Sequence, residues 1–244
     1  MNTTAVILAA GTASRLRPLT DTTPKCLLLI DNKSILERTI DNILANGINK
    51  LIIVTGYREE MIQGFANSNY PDLDIRFITN NVYESTNNAW SLMLALRELN
   101  GGNMLLLDSD ILFDADIIKK LLHSGYRDCL ALRASNQLGT EEIKVVSDST
   151  GLMSAISKVV NPADASGESI GIELFSEATI SILKQTIEKR MAEGKINEFY
   201  EASFEEMIQN HTPFYAVNIN PSACMEIDTV EDLQTATKIM QKVT

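Results

Sequence analysis

The sequence predicts an α/β fold, a three-layer sandwich with a mostly parallel central sheet and a smaller mixed region after it. Two observations carry this reading. Continuous apolar runs, several rich in β-branched residues, alternate with helix-period segments through the first half of the chain, and such runs suit parallel strands buried on both faces. Polar residues also gather just after the runs, where open α/β sheets bind their ligands.

The first strand is read at Ala5 to Ala9 and ends in Ala10-Gly11, where small residues let the backbone turn sharply and approach a ligand closely. Cys26 to Ile30 reads as a second short buried run closed by Asp31-Asn32. Ser34 and Glu37 have capping-box spacing, Ile35, Ile40, Ile43 and Leu44 form an apolar stripe, and Gly47 is a helix stop. The alternation continues with a strand at Leu51 to Thr55, a helix at Arg58 to Phe65, a strand at Ile75 to Thr79, a helix at Asn88 to Leu99 and a strand at Met104 to Leu107. A helix at Ala115 to Leu122 and a strand at Cys129 to Leu132 follow. The pattern then loosens. Ile143 to Val146 and Leu152 to Val160 read as strands of an irregular, mixed region, with Asn161-Pro162 as a turn. Helices are expected at Glu177 to Ala192 and Ala202 to Gln209, a strand near Tyr215 to Ile219, and a last helix at Val230 to Lys242. There is no internal repeat and no Pro-, Gly- or Ser-rich linker, so one domain spanning 1–244 is expected, with a subdomain change near residue 135.

Composition narrows the function classes. The chain has 244 residues, 45% hydrophobic and 22% charged, which is ordinary for a globular protein. A net charge of −11 argues against a general nucleic-acid binder, which needs a basic face to displace counterions, although a local basic pocket is allowed. Cys26, Cys129 and Cys224 form no metal-ligand spacing and leave one thiol over in any pairing, so they read as reduced thiols of a cytoplasmic protein. No signal peptide or membrane span is read in the sequence. His123 and His211 fall near helix ends and receive no catalytic role.

Three stretches can carry chemistry. The loop after the first strand, with Arg15 and Lys25, offers backbone N–H groups and two cations, a cradle for phosphates. Asp108-Ser109-Asp110 follows a buried run, and two carboxylates on an extended segment can share a hard divalent cation. Glu226-Ile227-Asp228 precedes the last helix, and alternation puts Glu226 and Asp228 on one face. The plain structural readings are a strand-to-helix turn with surface cations and aspartates that cap helices or turns. Glu141, Glu142 and Glu201, with Arg133, place charge in the second half, where an ammonium would be favoured and Trp90 or Tyr200 would add an aromatic face. A solvated charge pair and core aromatics are the alternatives.

Leu8-Ala9-Ala10-Gly11, then Arg15-Leu16, Pro18 and Pro24-Lys25, resemble the signature of the sugar-1-phosphate nucleotidylyltransferase superfamily. Asn87 to Leu92, Asp108-Ser109-Asp110, Ser169 to Ile172, Tyr200-Glu201 and Glu226 to Asp228 are similar to the bacterial choline-phosphate and 2-aminoethylphosphonate cytidylyltransferase branch. One position departs: Ala13 stands where the pattern has its second glycine. The resemblance implies a Rossmann-like (GT-A-like) fold and Mg2+-dependent transfer of a cytidylyl group from CTP to a small amine-bearing phosphate or phosphonate, with release of pyrophosphate. It implies a nucleotide-binding half over 1–134 and an acceptor-binding half over 135–244. Arg15 and Lys25 would be catalytic. Leu8, Ala9, Ala10, Gly11, Asn87, Asn88, Ser91 and Asp108 would meet the nucleotide, and the asparagines can offer a donor and an acceptor to cytosine. Arg133, Glu142, Gly171 and Glu201 would meet the acceptor, and Asp110, Asp228 and Glu226 the metal. A hexose-1-phosphate enzyme using dTTP or UTP and a silent nucleotide-binding module stay as alternatives, and a homodimer is left open.

Overall fold

The computed structural model describes residues 2–135 and 137–243. In chain order the first half consists of β1 (Thr3–Ala9), β2 (Leu29–Ile30), β3 (Lys33–Ser34), α1 (Ile35–Ala45), β4 (Lys50–Thr55), α2 (Glu59–Asn69), β5 (Asp74–Thr79), α3 (Asn88–Glu98), β6 (Asn103–Asp108), β7 (Ile111–Phe113) and α4 (Asp116–Leu122). The rest is β8 (Cys129–Arg133), β9 (Lys144–Ser147), β10 (Met153–Ser157), β11 (Gly167–Phe175), α5 (Glu177–Ala192), α6 (Glu201–Gln209), β12 (Tyr215–Asn218), β13 (Cys224–Glu226) and α7 (Val230–Val243).

One sheet of nine strands runs through both halves. Its path is β10-β9-β11-β6-β1-β4-β5, with β8 also on β11 and β12 on β8. From β6 to β5 every pairing is parallel, in the register Leu8 opposite Asp108 and Ala9 opposite Thr55. The long β11 runs antiparallel to β6 and hands the sheet over to its mixed part. This is the expected three-layer α/β arrangement, because alternate residues of the central strands enter opposite cores. Val6, Leu8, Val54 and Leu106 face a core completed by Leu92 and Leu96 of α3, Leu183 of α5 and Phe204 of α6. Ala5, Ile7, Ile53 and Leu107 face another completed by Leu36 and Ile40 of α1, Ile62 of α2 and Ile117 of α4.

Several expected elements change on inspection. Cys26 to Ile30 is no strand of the main sheet: Pro24 leads into a tight turn at Lys25–Leu27, and only Leu29–Ile30 extends, in a ribbon with Lys33–Ser34. The run is apolar because Cys26, Leu28 and Ile30 are buried while Leu29 stays 60% exposed. The strand read at Leu152 to Val160 shortens to Met153–Ser157, and the helix read at Arg58 to Phe65 starts at Glu59 and reaches Asn69. Four strands were not expected: the short β3, β7, β13 and the nine-residue β11. β7 and β13 form their own antiparallel ribbon, Ile111 opposite Glu226. Over them α7 packs on a small separate core of Ile30, Ile35, Ile227 and Ala236. The capping box at Ser34 is half realised, since the Ser34 hydroxyl accepts from the Glu37 N–H. No helix among the described residues is long and apolar enough to cross a membrane. Met1 and Thr244, the expected domain limits, lie outside the described residues.

Ile7 is fully buried between β4 and β6, so Ile7→Ala should cost about 2 to 5 kcal/mol of unfolding free energy in a urea titration. Leu29→Ala, at an equally apolar residue, should change it by less than about 0.5 kcal/mol.

Candidate active site

The residues that the sequence marks as candidates, Trp90 and Tyr200 excepted, line one cleft of about 780 Å³ at the carboxyl ends of β1 and β6. Two pairings bring its parts together. β1 lies beside β6, so the Leu8 to Gly11 backbone and Asp108 leave the sheet side by side. The β7–β13 ribbon then folds the far end of the chain onto the same place, with the Ile227 N–H donating to the Asp110 carbonyl at 2.9 Å. Asp110 and Asp228 are thereby neighbours despite their separation in sequence.

Lys25 joins them. Its ammonium lies 2.9 Å from Asp110 Oδ2 and 2.6 Å from Asp228 Oδ1, and Arg15 reaches Asp228 Oδ2 at 2.9 Å. Burial alone would lower the Lys25 pKa, but the Asp110 charge and the Asp228 hydrogen bond raise it above its ordinary value, so the amine stays charged. Burial pushes the Asp228 carboxyl up, yet the Lys25 hydrogen bond and the charges of Lys25 and Arg15 hold it low. Oxygens of Asp110, Glu226 and Asp228 all lie within 4.8 Å of one another, a spacing and an all-oxygen donor set that fit a hard divalent cation.

The loop that carries Arg15 turns at Ala13, which sits in the left-handed region at φ 48° and ψ 52°. Its carbonyl accepts from the Leu16 N–H and the Thr20 hydroxyl, and buried Leu16 anchors the turn. The left-handed residue of the cradle is therefore Ala13, the very position where a glycine was missing. A Cβ on Gly11 would meet no protein atom within 4 Å, so its bareness serves the open cleft and not the packing. At Gly171 the reverse holds: φ is +69° and a Cβ would come within 2.6 Å of Asp108 Oδ2, so β11 can pass the end of β6 only with glycine there.

The Asn87 to Ser91 segment is held from within. Asn87 Oδ1 accepts from the Asn88 N–H, Asn88 Oδ1 accepts from the Tyr200 N–H at 2.9 Å, and Asn80 donates to Ser91 Oγ. Both asparagine acceptors are thus engaged in the fold, leaving the two side-chain amide donors without a hydrogen-bond partner among the described residues. On the other wall the Arg133 guanidinium is paired with Glu168, and Glu142 accepts from the Gly139 N–H at 2.8 Å. Trp90 is not among the lining residues, and Tyr200 is fully buried with its hydroxyl donated to Asp108 Oδ2 at 2.9 Å. The aromatic side chains that line the cleft are Tyr83 and Phe199, with Lys158 over Phe199. Sequence reasoning missed Asn80, Tyr83, Lys158, Glu168 and Phe199. Asn80 was findable, because it directly follows a strand end, whereas Glu168 and Phe199 have no local signal.

Burial raises the carboxyls beneath this wall. Glu201 is pushed up to about 7 by burial, Asp108 is raised by burial and by the charges of Asp110 and Glu201, and Glu173 by burial and by the charges of Asp108 and Glu201.

Among known proteins, the family model described as nucleotidyl transferase matches residues 4–127. A choline-phosphate cytidylyltransferase of Streptococcus pneumoniae is 27% identical over 249 residues, covering 97% of this chain and 98% of the relative. A 2-aminoethylphosphonate cytidylyltransferase of Lancefieldella rimae is 24% identical over 240 residues, covering 95% of this chain and 90% of the relative. The solved structure of a CTP:phosphocholine cytidylyltransferase from Streptococcus pneumoniae overlays with a TM-score of 0.79 at 25% identity, covering 98% of this chain and 100% of that one. The likeness extends beyond the loop signature to nearly the whole chain.

Two outcomes follow from this geometry. Ala13→Gly should leave stability within about 1 kcal/mol, because relief of the left-handed strain is offset by greater freedom of the unfolded chain, whereas Ala13→Val should distort the loop and raise the nucleotide KM at least about tenfold. Glu201 has a folded pKa of about 7 against an ordinary 4.5, so the native state holds this proton longer and stability from this group is lost as pH rises through that window. Unfolding titrations should show the difference between wild type and Glu201→Gln moving in the variant's favour by on the order of 3 kcal/mol across it.

Proposed function

The chain belongs to the nucleotidyl transferase family, and from that premise we propose that its cleft transfers the cytidylyl group of CTP to a small amine-bearing phosphate or phosphonate. The observation that carries this reading is the junction of Lys25 with Asp110 and Asp228 directly under the Arg15 loop. An acceptor oxygen attacks the α-phosphorus of CTP. One P–O bond forms as the bond to the departing pyrophosphate breaks in line with it, and no covalent enzyme intermediate is needed. Catalysis then rests on positioning and on fixed charge aimed at the phosphates.

The residues divide this work. Lys25, kept charged by its two aspartates, meets the α-phosphate or the acceptor's anionic group with donors that replace its internal pairs. Arg15, 67% exposed, is free to swing onto the β- and γ-phosphates. The Leu8 to Gly11 backbone and the Asn87 and Asn88 amide donors, which line the same cleft, meet ribose and base. Asp110, Glu226 and Asp228 would hold the divalent cation, taken as Mg2+, which when bound adds positive charge at the phosphates. The acceptor enters from the wall formed by Arg133, Glu142, Gly171 and Glu201, so residues 1–134 serve the nucleotide and 135–244 mostly the acceptor.

Incubation with CTP, Mg2+ and a panel of amine-bearing phosphates and phosphonates should release pyrophosphate. Lys25→Ala and Asp110→Asn should each lower that rate at least about 100-fold with circular dichroism unchanged, and chelation should abolish it until Mg2+ is restored. Near-normal turnover in either variant would remove the assigned role. Release only with a hexose 1-phosphate and dTTP or UTP would move the protein to the sugar branch.

A further inference from the structure

The cleft has a second acidic corner, which the transfer step does not use. Asp108 ends β6, Glu173 lies in β11 and Glu201 opens α6, and the Glu201 charge bears on both Asp108 and Glu173 while that of Lys158 reaches Glu201. Glu173 is fully buried, and Glu201 is 7% exposed while it lines the cleft. Both carry a buried Oε2 with no hydrogen-bond partner. No hydrogen bond joins any two of the three carboxyl groups among the described residues. The donors they do have are few: the Tyr200 hydroxyl on Asp108 Oδ2 at 2.9 Å and the Ser169 hydroxyl on Glu173 Oε1 at 3.4 Å. Lys158 is the nearby cation, but its ammonium is placed 3.3 Å from Glu141 and 5.1 Å from the Phe199 ring centroid. Buried polar oxygens are normally satisfied, so the orphaned Glu201 Oε2 on the wall of a ligand cleft calls for a donor from outside the chain, whereas the orphaned Glu173 Oε2 is fully buried off the cleft lining.

We propose that this corner takes the protonated primary amine of the acceptor, which makes the acceptor class a small aminoalkyl phosphate or phosphonate and not a quaternary ammonium compound. The inference rests on the cytidylyl-transfer reading for the other end of the acceptor. A primary ammonium brings three N–H donors and a compact charge, which matches unpaired carboxylate oxygens. A trimethylammonium group brings no donor, and proteins hold it with aromatic faces. Few such faces are offered. Trp90 lies off the cleft, Tyr200 is buried against Phe204 with its hydroxyl committed, Tyr83 lies against Gly56 and Tyr57 at the end of β4, and Phe199, the other aromatic lining residue, already has the Lys158 ammonium over its ring. A neutral polyol supplies donors but no charge to offset the burial of three acids.

Phosphoethanolamine, phosphocholine and ethyl phosphate form a matched set that differs only at this end. With CTP and Mg2+, kcat/KM for pyrophosphate release by the intact protein should be at least tenfold higher for phosphoethanolamine than for either of the others. In Glu201→Gln the preference for phosphoethanolamine over ethyl phosphate should collapse, through a rise in the phosphoethanolamine KM. Phosphocholine used as well as phosphoethanolamine would overturn the primary-amine assignment, and ethyl phosphate used as well would overturn the ammonium site altogether. Absence of turnover with every acceptor would count against the transfer reading, and calorimetry would then decide the corner by itself. Phosphoethanolamine binding tighter than phosphocholine in wild type but not in Glu201→Gln supports it, and equal or absent binding overturns it.

Discussion

The cleft depends on one contact, the Lys25 ammonium held between Asp110 and Asp228. It gathers three segments that are remote in sequence: the loop after β1, the end of β6 and the approach to α7. Two acids that close repel each other unless a cation stands between them, and a lysine so deeply placed would lose its charge without them. The aspartates thus keep the lysine charged, and the lysine in turn holds the Asp228 carboxyl low. That mutual dependence leaves fixed charges in the cleft without cost at the moment a phosphate arrives, which is the arrangement electrostatic catalysis requires.

Much of the fold is legible in the sequence because the three central parallel strands β1, β4 and β6 are buried and show it as unbroken apolar runs. Legibility fails where the site begins. In β11 the residues Glu168, Ser169, Gly171 and Glu173 interrupt the apolar pattern, since that strand turns acids and a bare glycine toward the end of β6. The run from Cys26 to Ile30 misleads for the opposite reason. It is apolar because the turn that aims Lys25 must be anchored in the core, and anchoring does not require a strand.

The site itself was more legible than its scaffold. Arg15, Lys25, Asp110, Glu226 and Asp228 stand out as polar residues after buried runs, and the structure brings them together. What could not be read was how side chains are shared. Asn88 looks from the sequence like a base reader, yet its oxygen is given to the backbone of Tyr200, so it also fixes the start of α6 and hence Glu201. Tyr200 looks like a core aromatic and is one, but its hydroxyl reaches Asp108 from the core side. Such double duty arises from tertiary contacts and has no periodicity to betray it.

The β7–β13 ribbon has only three residue pairs and lies outside the main sheet, and α7 above it rests on a core of four fully buried residues. Asp228 is therefore tethered by the thinnest part of the molecule, although it partners the most deeply set lysine of the cleft. Local opening of such a unit takes less free energy than unfolding of the sheet. Activity should therefore be lost on warming before the sheet unfolds, and should return as fast as the ribbon closes on cooling.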